Sequence, residues 1–208
     1  MKGLDVLVIE STYGRPEWSR PFEEDVERVL VDLVKEGLAE GSVAVYGYYG
    51  KLQEAMEILR AGGVSAPFVM PWKVYAVTRA AVRHGLKVTG YYLEGSDEAR
   101  RAVSQDHYVY FAHLSRFGEG RGRHALSVVL SGWEFREPAR RVDARTWLVA
   151  LSDHADFRQL VEYVSRAKPG VVVVDSYRNG AAGELASFVR EYLGIEAYVA
   201  PGSGVPLA

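Results

Sequence analysis

Short apolar runs alternate along this chain with stretches in which apolar residues recur every three or four positions. The run from Asp5 to Glu10 (Asp-Val-Leu-Val-Ile-Glu) is β-branched and ends in a charge, which predicts a buried strand. Residues 11–20 follow as a loop, punctuated by Gly14, Pro16 and, just beyond, Pro21. From Phe22 to Leu38 the positions Val26, Val29, Leu30, Leu33 and Val34 form one helical stripe, and Glu23, Glu24 and Asp25 suit its N-terminal end. The same reading predicts strands over 42–49, 67–70, 86–93 and 108–112, and helices over 50–59, 72–84 and 96–104. Further strands are expected over 125–130, 147–151, 170–175 and 196–200, with helices over 157–167 and 182–193.

Strands that alternate with helices of this length predict an α/β fold with a mainly parallel sheet. The segment Ser115 to His124 is basic and glycine-rich and offers the best internal boundary. Residues 15–125 are therefore expected to form one small α/β unit. Residues 1–14 and 126–208 are expected to build a second sheet from the two chain ends.

Composition narrows the chemistry. There is no cysteine, which excludes disulfides and thiolate metal sites. The formal net charge of -2 gives no global case for nucleic acid, so any such contact must be local. No apolar run is long enough for a membrane span and no signal peptide is evident, so a cytoplasmic location is expected. A single asparagine and three glutamines fit either a thermophilic source or a GC-rich genome.

Four places carry candidate chemistry. Glu10 closes the first strand, where α/β sheets present functional groups, although such a carboxylate can equally cap nearby amides. Ser152-Asp153-His154-Ala155-Asp156 lies in a strand-to-helix turn. There His154 can serve as an acid or base, or be purely structural, and Asp153 or Asp156 can cap the helix. Gly47-Tyr48-Tyr49-Gly50-Lys51 is a second such turn, either a phosphate cradle with Lys51 beside it or a tight crossover. Arg116, Arg121, Arg123 and His124, with Arg136, Arg140, Arg141 and Arg145 beyond, can grip phosphates or simply face solvent.

In order, these motifs resemble the β-CASP family of metallo-β-lactamase-fold nucleases, whose members act in mRNA 3′-end processing and as ligase-associated exonucleases. Asp5 to Gly14 resembles the strand that hands over to the family's inserted domain, with Glu10 as the motif A acid. Gly50-Lys51-Leu52-Gln53-Glu54 is similar to the Gly-Arg-x-Gln-Glu stretch, and Ser131-Gly132-Trp133 to the return from the insertion. The 152–156 turn resembles the motif B loop, with His154 as motif B. Lys168-Pro169 and the following valines resemble the approach to motif C, and Ala200-Pro201-Gly202-Ser203-Gly204 the family's ending. The resemblance implies a Rossmann-like β-CASP domain flanked by a partial metallo-β-lactamase half-domain formed by both chain ends. It assigns Glu10 and His154 to catalysis, and Ser11, Lys51, Ser152, Arg121 and Arg123 to phosphate.

Two departures shape the functional expectation. The family's His-x-His-x-Asp-His motif precedes motif A, but only nine residues precede Glu10 here, so that half is expected to be absent from this chain. No two of the five histidines have metal-ligand spacing. Motif C, usually a histidine, falls on Asp175 or Ser176. A metal drops the pKa of its water from ~16 to ~7, and nothing in this sequence replaces that step. The expectation is a degenerate relative of metal-dependent phosphodiesterases, inactive alone, that binds RNA or DNA or scaffolds a processing complex. The alternatives are one half of a split nuclease, with Asp175 joining a zinc site only if a partner completes it, and a Rossmann-like domain that binds a small molecule or protein. No cofactor is expected for the chain alone. An exposed apolar face or sheet edge, covered in a homodimer or by a partner chain, is expected as well.

Overall fold

The structure is a computed structural model that describes residues 3–120, 122–177 and 180–202. In chain order its elements begin β1 (Val6–Ile9), α1 (Glu23–Glu40), β2 (Val43–Gly47), α2 (Lys51–Ala61), β3 (Phe68–Met70), α3 (Trp72–Arg83), β4 (Tyr91–Leu93) and α4 (Asp97–Ser104). They continue β5 (Val109–His113), α5 (Phe117–Gly120), β6 (Leu126–Leu130), β7 (Ala139–Asp143) and β8 (Thr146–Val149). The last are α6 (Phe157–Ala167), β9 (Val171–Asp175), α7 (Ala182–Leu193) and β10 (Glu196–Ala200). The fold is α/β and Rossmann-like, with two mostly parallel sheets, as the alternation of periods predicts. No helix among the described residues is long and apolar enough to cross a membrane.

The chain divides into two compact units, one holding the segments up to Pro21 and from His154 onward, the other Phe22–Asp153. This shifts the expected boundaries. Residues 126–153 do not join the terminal sheet, because β6 pairs in parallel with β2, from Val43 opposite Leu126 to Tyr46 opposite Val129. Nor is 115–124 a linker, since it contributes the end of a 3-10 turn (Leu114–Arg116) and α5 to the larger unit.

The larger unit carries a seven-stranded sheet in the order β4-β3-β5-β2-β6-β8-β7, parallel except for β7. Every residue of β2 is buried, as a central strand requires. Val43, Val45, Phe68, Met70, Val109, Phe111, Val128 and Leu130 share the core with the apolar faces of α1, α2 and α3. The opposite face has thinner cover: α4 packs on Val69 and Tyr108, and Leu114 and Phe117 pack near Ala44, Tyr46 and Ala112. β7 is absent from the sequence reading because Arg140, Arg141 and Val142 are exposed on an edge, where no apolar pattern is needed. Strand 86–93 shrinks to β4 for a different reason. Arg60 donates to the carbonyls of Val64, Ala66, Thr89 and Gly90, and Leu86 accepts within a turn from Val88, so pairing with β3 begins only at the Gly90 carbonyl, which also accepts from the Phe68 amide. Burial of that guanidinium, which stacks on Phe68, lowers its pKa to about 10.

The smaller unit is a three-stranded parallel sheet, β1-β9-β10. Leu7, Ile9, Val172, Val174 and Ala197 face α6 and α7 and form its core with Leu160, Val164, Leu185 and Val189. The other face is bare among the described residues. Val6 is 53% exposed, Val8 68% and Tyr198 45%, and Val171 and Val173 between them are half-buried. Parallel sheets are normally covered on both sides, so this is an exposed apolar face of the kind expected from the sequence. At its helical side the unit is fastened by a buried carboxylate. Asp156 caps α6 by accepting from the Gln159 amide at 2.9 Å, and its other oxygen accepts from the Arg20 amide at 2.7 Å. The buried Arg20 guanidinium donates to the His154 carbonyl at 2.8 Å.

Two stability tests follow from these contacts. Asp156→Ala removes a cap and strands the Arg20 amide, so unfolding free energy should fall by about 2 kcal/mol or more in urea titrations. The second concerns His124, which is buried against Tyr110 and within 3.1 Å of the Ser42 hydroxyl. Burial pushes its imidazole below the ordinary histidine value, with Asp106 opposing and Arg123 adding to the shift. The unfolded chain therefore takes this proton first. Stability should drop as pH falls below about 6.5 and level off once the folded pKa is passed. Urea midpoints across that window should show the slope, and His124→Gln should flatten it.

Candidate functional site

Parallel strands of the smaller sheet end together, and their carboxyl ends gather the polar residues of the chain termini. Ile9 lies opposite Val174, so Glu10 and Asp175 follow side by side at the same edge. The loop after β1 is pressed onto its neighbour: a Cβ on Gly14 would stand 2.6 Å from the Ala181 carbonyl oxygen, and one on Gly180 would stand 2.4 Å from that of Ser11. Only glycine permits that approach. The Ser11 hydroxyl donates to the Asp175 main-chain carbonyl at 2.7 Å, and the Ala181 amide to the Ser11 carbonyl at 3.0 Å.

This pinned loop delivers Glu10 to His154. Glu10 Oε1 lies 3.5 Å from His154 Nδ1, and each side chain is about one third exposed (35% and 34%). Glu10 Oε2 accepts from the Thr12 amide at 2.7 Å, which fixes the carboxylate. The Thr12 hydroxyl stands 3.4 Å from the same imidazole nitrogen, and Tyr13 meets the ring edge-on at 6.1 Å. From the other side, Arg20 holds the His154 backbone and lies over Tyr13 at 4.8 Å. A carboxylate accepts only, so its position favours a proton on Nδ1, while the Thr12 hydroxyl at the same nitrogen can donate or accept. A phosphate oxygen also accepts only, so the imidazole holds one through an Nε2–H, and an unprotonated Nε2 takes a proton instead.

The remaining expected residues fall in different surroundings. Ser11 is buried, its hydroxyl engaged with Asp175. Asp175 Oδ1 accepts from the Tyr177 amide at 2.9 Å, and Ser176 donates to the Pro201 carbonyl. Of the two acids proposed to cap α6, Asp156 does so. Asp153 belongs to the larger unit and pairs with Lys51 at 3.0 Å. That pairing changes the reading of Lys51, whose side chain is only 8% exposed. It neutralises Asp153 and lies beside Glu54, whose carboxyl is pushed up by burial and by Asp153. Gly50 (φ 90°) donates its amide to Gln53 Oε1, and Gln53 in turn donates to Thr78. The turn is therefore internally satisfied, a tight crossover more than an open phosphate cradle. Ser152 is half-buried in the same unit.

The arginines are similarly divided. Arg116 pairs with Glu119 at 3.1 Å, Arg140 with Glu134 at 2.7 Å, and Arg141 donates to the carbonyls of Asp143 and Ala144. Burial opposes ionisation of Glu134, but Arg140 and the amides of Arg136 and Phe135 outweigh it and hold its carboxyl below the usual range. Arg123 is exposed and makes no ion pair among the described residues, and Arg121 lies outside them. Among the described residues no group of three or more His, Asp or Glu is arranged to hold a metal. Glu10, His154 and Asp175 form no such group, so they do not converge as the three or more protein ligands that zinc takes.

No family model matches the chain. A protein of Acidianus ambivalens described as an uncharacterized protein in the lig 3′ region is 49% identical over 82 residues, 39% of this chain and 59% of that protein. A probable DNA ligase of Opitutus terrae is 27% identical over 199 residues, 93% of this chain and 18% of the ligase. The chain thus spans about three fifths and one fifth of the lengths of these two relatives. Chloroplast FtsY of Physcomitrella patens is 11% identical, with a TM-score of 0.27 over 88% of this chain and 69% of that one, a likeness too slight to bear on the fold.

The geometry of the pair is open to spectroscopy. Imidazole nitrogen NMR should show a proton on His154 Nδ1, and Glu10→Ala should move the tautomer population toward the Nε2-protonated form. An unchanged tautomer ratio would remove Glu10 from the role of orienting group.

Proposed function

We propose that this chain is a DNA-binding subunit of a ligase-associated, nuclease-type assembly, related to the β-CASP family, without cleavage activity of its own and completed by a partner. The observation that carries the reading is an ordered acid–histidine pair at the carboxyl edge of a sheet whose opposite face is bare. Polar groups aligned at that edge belong to function in α/β sheets. An uncovered parallel sheet belongs to an interface. The relatives favour DNA over RNA, since one is a probable DNA ligase aligned along most of the chain and the other is named for its place in a lig 3′ region.

Under this reading Glu10 and His154 stand beside a phosphate, and zinc enters only if a partner brings the further ligands. A non-catalytic role draws support from Asp175, which stands where the resembled family usually has a histidine and whose carboxylate already accepts from the Tyr177 amide.

Fluorescence anisotropy with labelled single-stranded DNA, duplex DNA and RNA tests the nucleic-acid part. DNA should bind more tightly than RNA, and affinity should fall by roughly threefold to tenfold between about 50 and 200 mM salt, as one or two phosphate contacts dictate. His154→Ala should weaken binding roughly threefold to tenfold. Salt-independent binding, or none, would exclude the role. Sedimentation of wild type and Val8→Asp tests the interface: the aspartate should abolish self-association or partner capture while the circular dichroism spectrum stays the same. Strand scission by a monomer of this chain would overturn the reading.

A further inference from the structure

The larger unit holds a cleft of about 490 Å³ that no function discussed above uses. It opens on the thinly covered face of the seven-stranded sheet and is bounded by α4 and the segment that follows β5. Its size falls within the ~300–1,000 Å³ usual for small-molecule sites. One wall is aromatic: Tyr110 stacks on His124 at 5.6 Å and 15°, and Tyr108 meets the same imidazole edge-on. Val69 stands beside Tyr110 on the sheet face that floors the cleft, Ala99 packs onto it, and the exposed Val103 of α4 edges the opening. A planar ring suits an aromatic surface of this kind better than a branched or extended group.

Charged and polar residues line it as well: Glu94, Arg100, Ser104, Arg116, Glu119 and Arg123. The Tyr110 hydroxyl sits 3.3 Å from both Glu94 oxygens and accepts from Arg116 at 2.9 Å, so a carboxylate and a guanidinium are presented together. Such a pair offers an acceptor and donors to the edge of a heterocycle. Arg123, exposed at the cleft and without an ion pair among the described residues, offers a counter-charge to an anion. A second, independent observation also points to a ligand. Tyr46 lines this cleft, is fully buried, and its hydroxyl has no hydrogen-bond partner. Buried polar groups are nearly always satisfied, so an orphan hydroxyl in a cleft wall marks a place where an acceptor is missing.

We infer that this cleft is a nucleotide site, taking a base against Tyr110 beside Val103 of α4 and its phosphate toward Arg123. The nucleotide can be free or the terminal nucleotide of a strand, and both present the same chemistry. The inference does not rest on the DNA-binding role proposed above, because every residue invoked here lies in the larger unit and none belongs to the Glu10–His154 pair.

Saturation-transfer NMR and calorimetry on the full chain test it, with the four deoxynucleoside monophosphates, AMP, a short 5′-phosphorylated oligonucleotide and inorganic phosphate as probes. A mononucleotide, or the oligonucleotide alone, should bind at up to millimolar concentration with base protons in contact, which also tells the free source from the strand end. Val103→Trp, on the exposed side of α4, should fill the cleft opening and abolish that binding. Tyr46→Phe should leave folding stability unchanged or higher yet weaken binding by roughly tenfold or less. Loss of DNA affinity at Glu10–His154 variants with this binding intact would separate the two sites. Binding by phosphate as tight as by nucleotide, binding that survives Val103→Trp, or no binding of any nucleotide probe would overturn the inference.

Discussion

The buried link from Arg20 to the His154–Asp156 turn is the contact on which the smaller unit depends. Its two ends are 136 positions apart in sequence, and the whole larger unit lies between them. Asp156 does three things with one carboxylate and one amide: it caps α6, completes a reciprocal bond with Gln159, and accepts from the Arg20 backbone. Arg20 then reaches the His154 carbonyl and covers Tyr13. Charge-assisted bonds of this sort are strong because both partners are removed from water and each is paired. The pair Glu10–His154 exists because this hub holds the histidine turn against the loop that follows β1.

That loop is controlled from its other side by steric closeness. Gly14 and Gly180 let two backbone segments approach within distances a Cβ would forbid, and the Ser11 hydroxyl completes the join to β9. The consequence is a rigid edge next to an unfinished face. Valine and tyrosine side chains on the outer side of β1, β9 and β10 have no layer over them among the described residues, although the inner side is a fully packed core. A sheet so unequal on its two sides is stable as a folded element but exposes apolar area that water penalises. A covering partner is the reading that reconciles an ordered polar edge with an uncovered apolar face.

Much of this was legible in the sequence. Period and turn chemistry placed nearly every strand and helix, and the motif order singled out Glu10 and His154, which do meet. What the sequence could not supply was pairing. β6 could have joined either sheet on its apolar pattern alone, and only its register with β2 decides the matter. β7 is polar because it is an antiparallel edge, and pairing with β3 starts only at Gly90 because Arg60, far off in sequence, holds the Thr89 carbonyl. Lys51 looked like a phosphate ligand by position, but its charge is bound to Asp153, a partner that no local motif reveals. The cleft over Tyr46 left no sequence signal, because its walls come from several separate elements and its glycines read as loop.

The same accounting of partners bears on how nucleic acid would be held. Three arginines of the expected basic patch are engaged: Arg116 with Glu119, Arg140 with Glu134, Arg141 with main-chain carbonyls. With a net charge of -2, the chain has little long-range attraction for a polyanion. Affinity must then come from a small number of close, oriented contacts, and such contacts weaken quickly when any one is misplaced. A chain in that position gains by sharing the strand with a second surface, since linked weak sites bind far more tightly than either alone. The bare face of the smaller sheet supplies the means for that sharing. In the assembly we propose, this chain orients the phosphate, and the second member supplies the charge and metal ligands that its own residues do not.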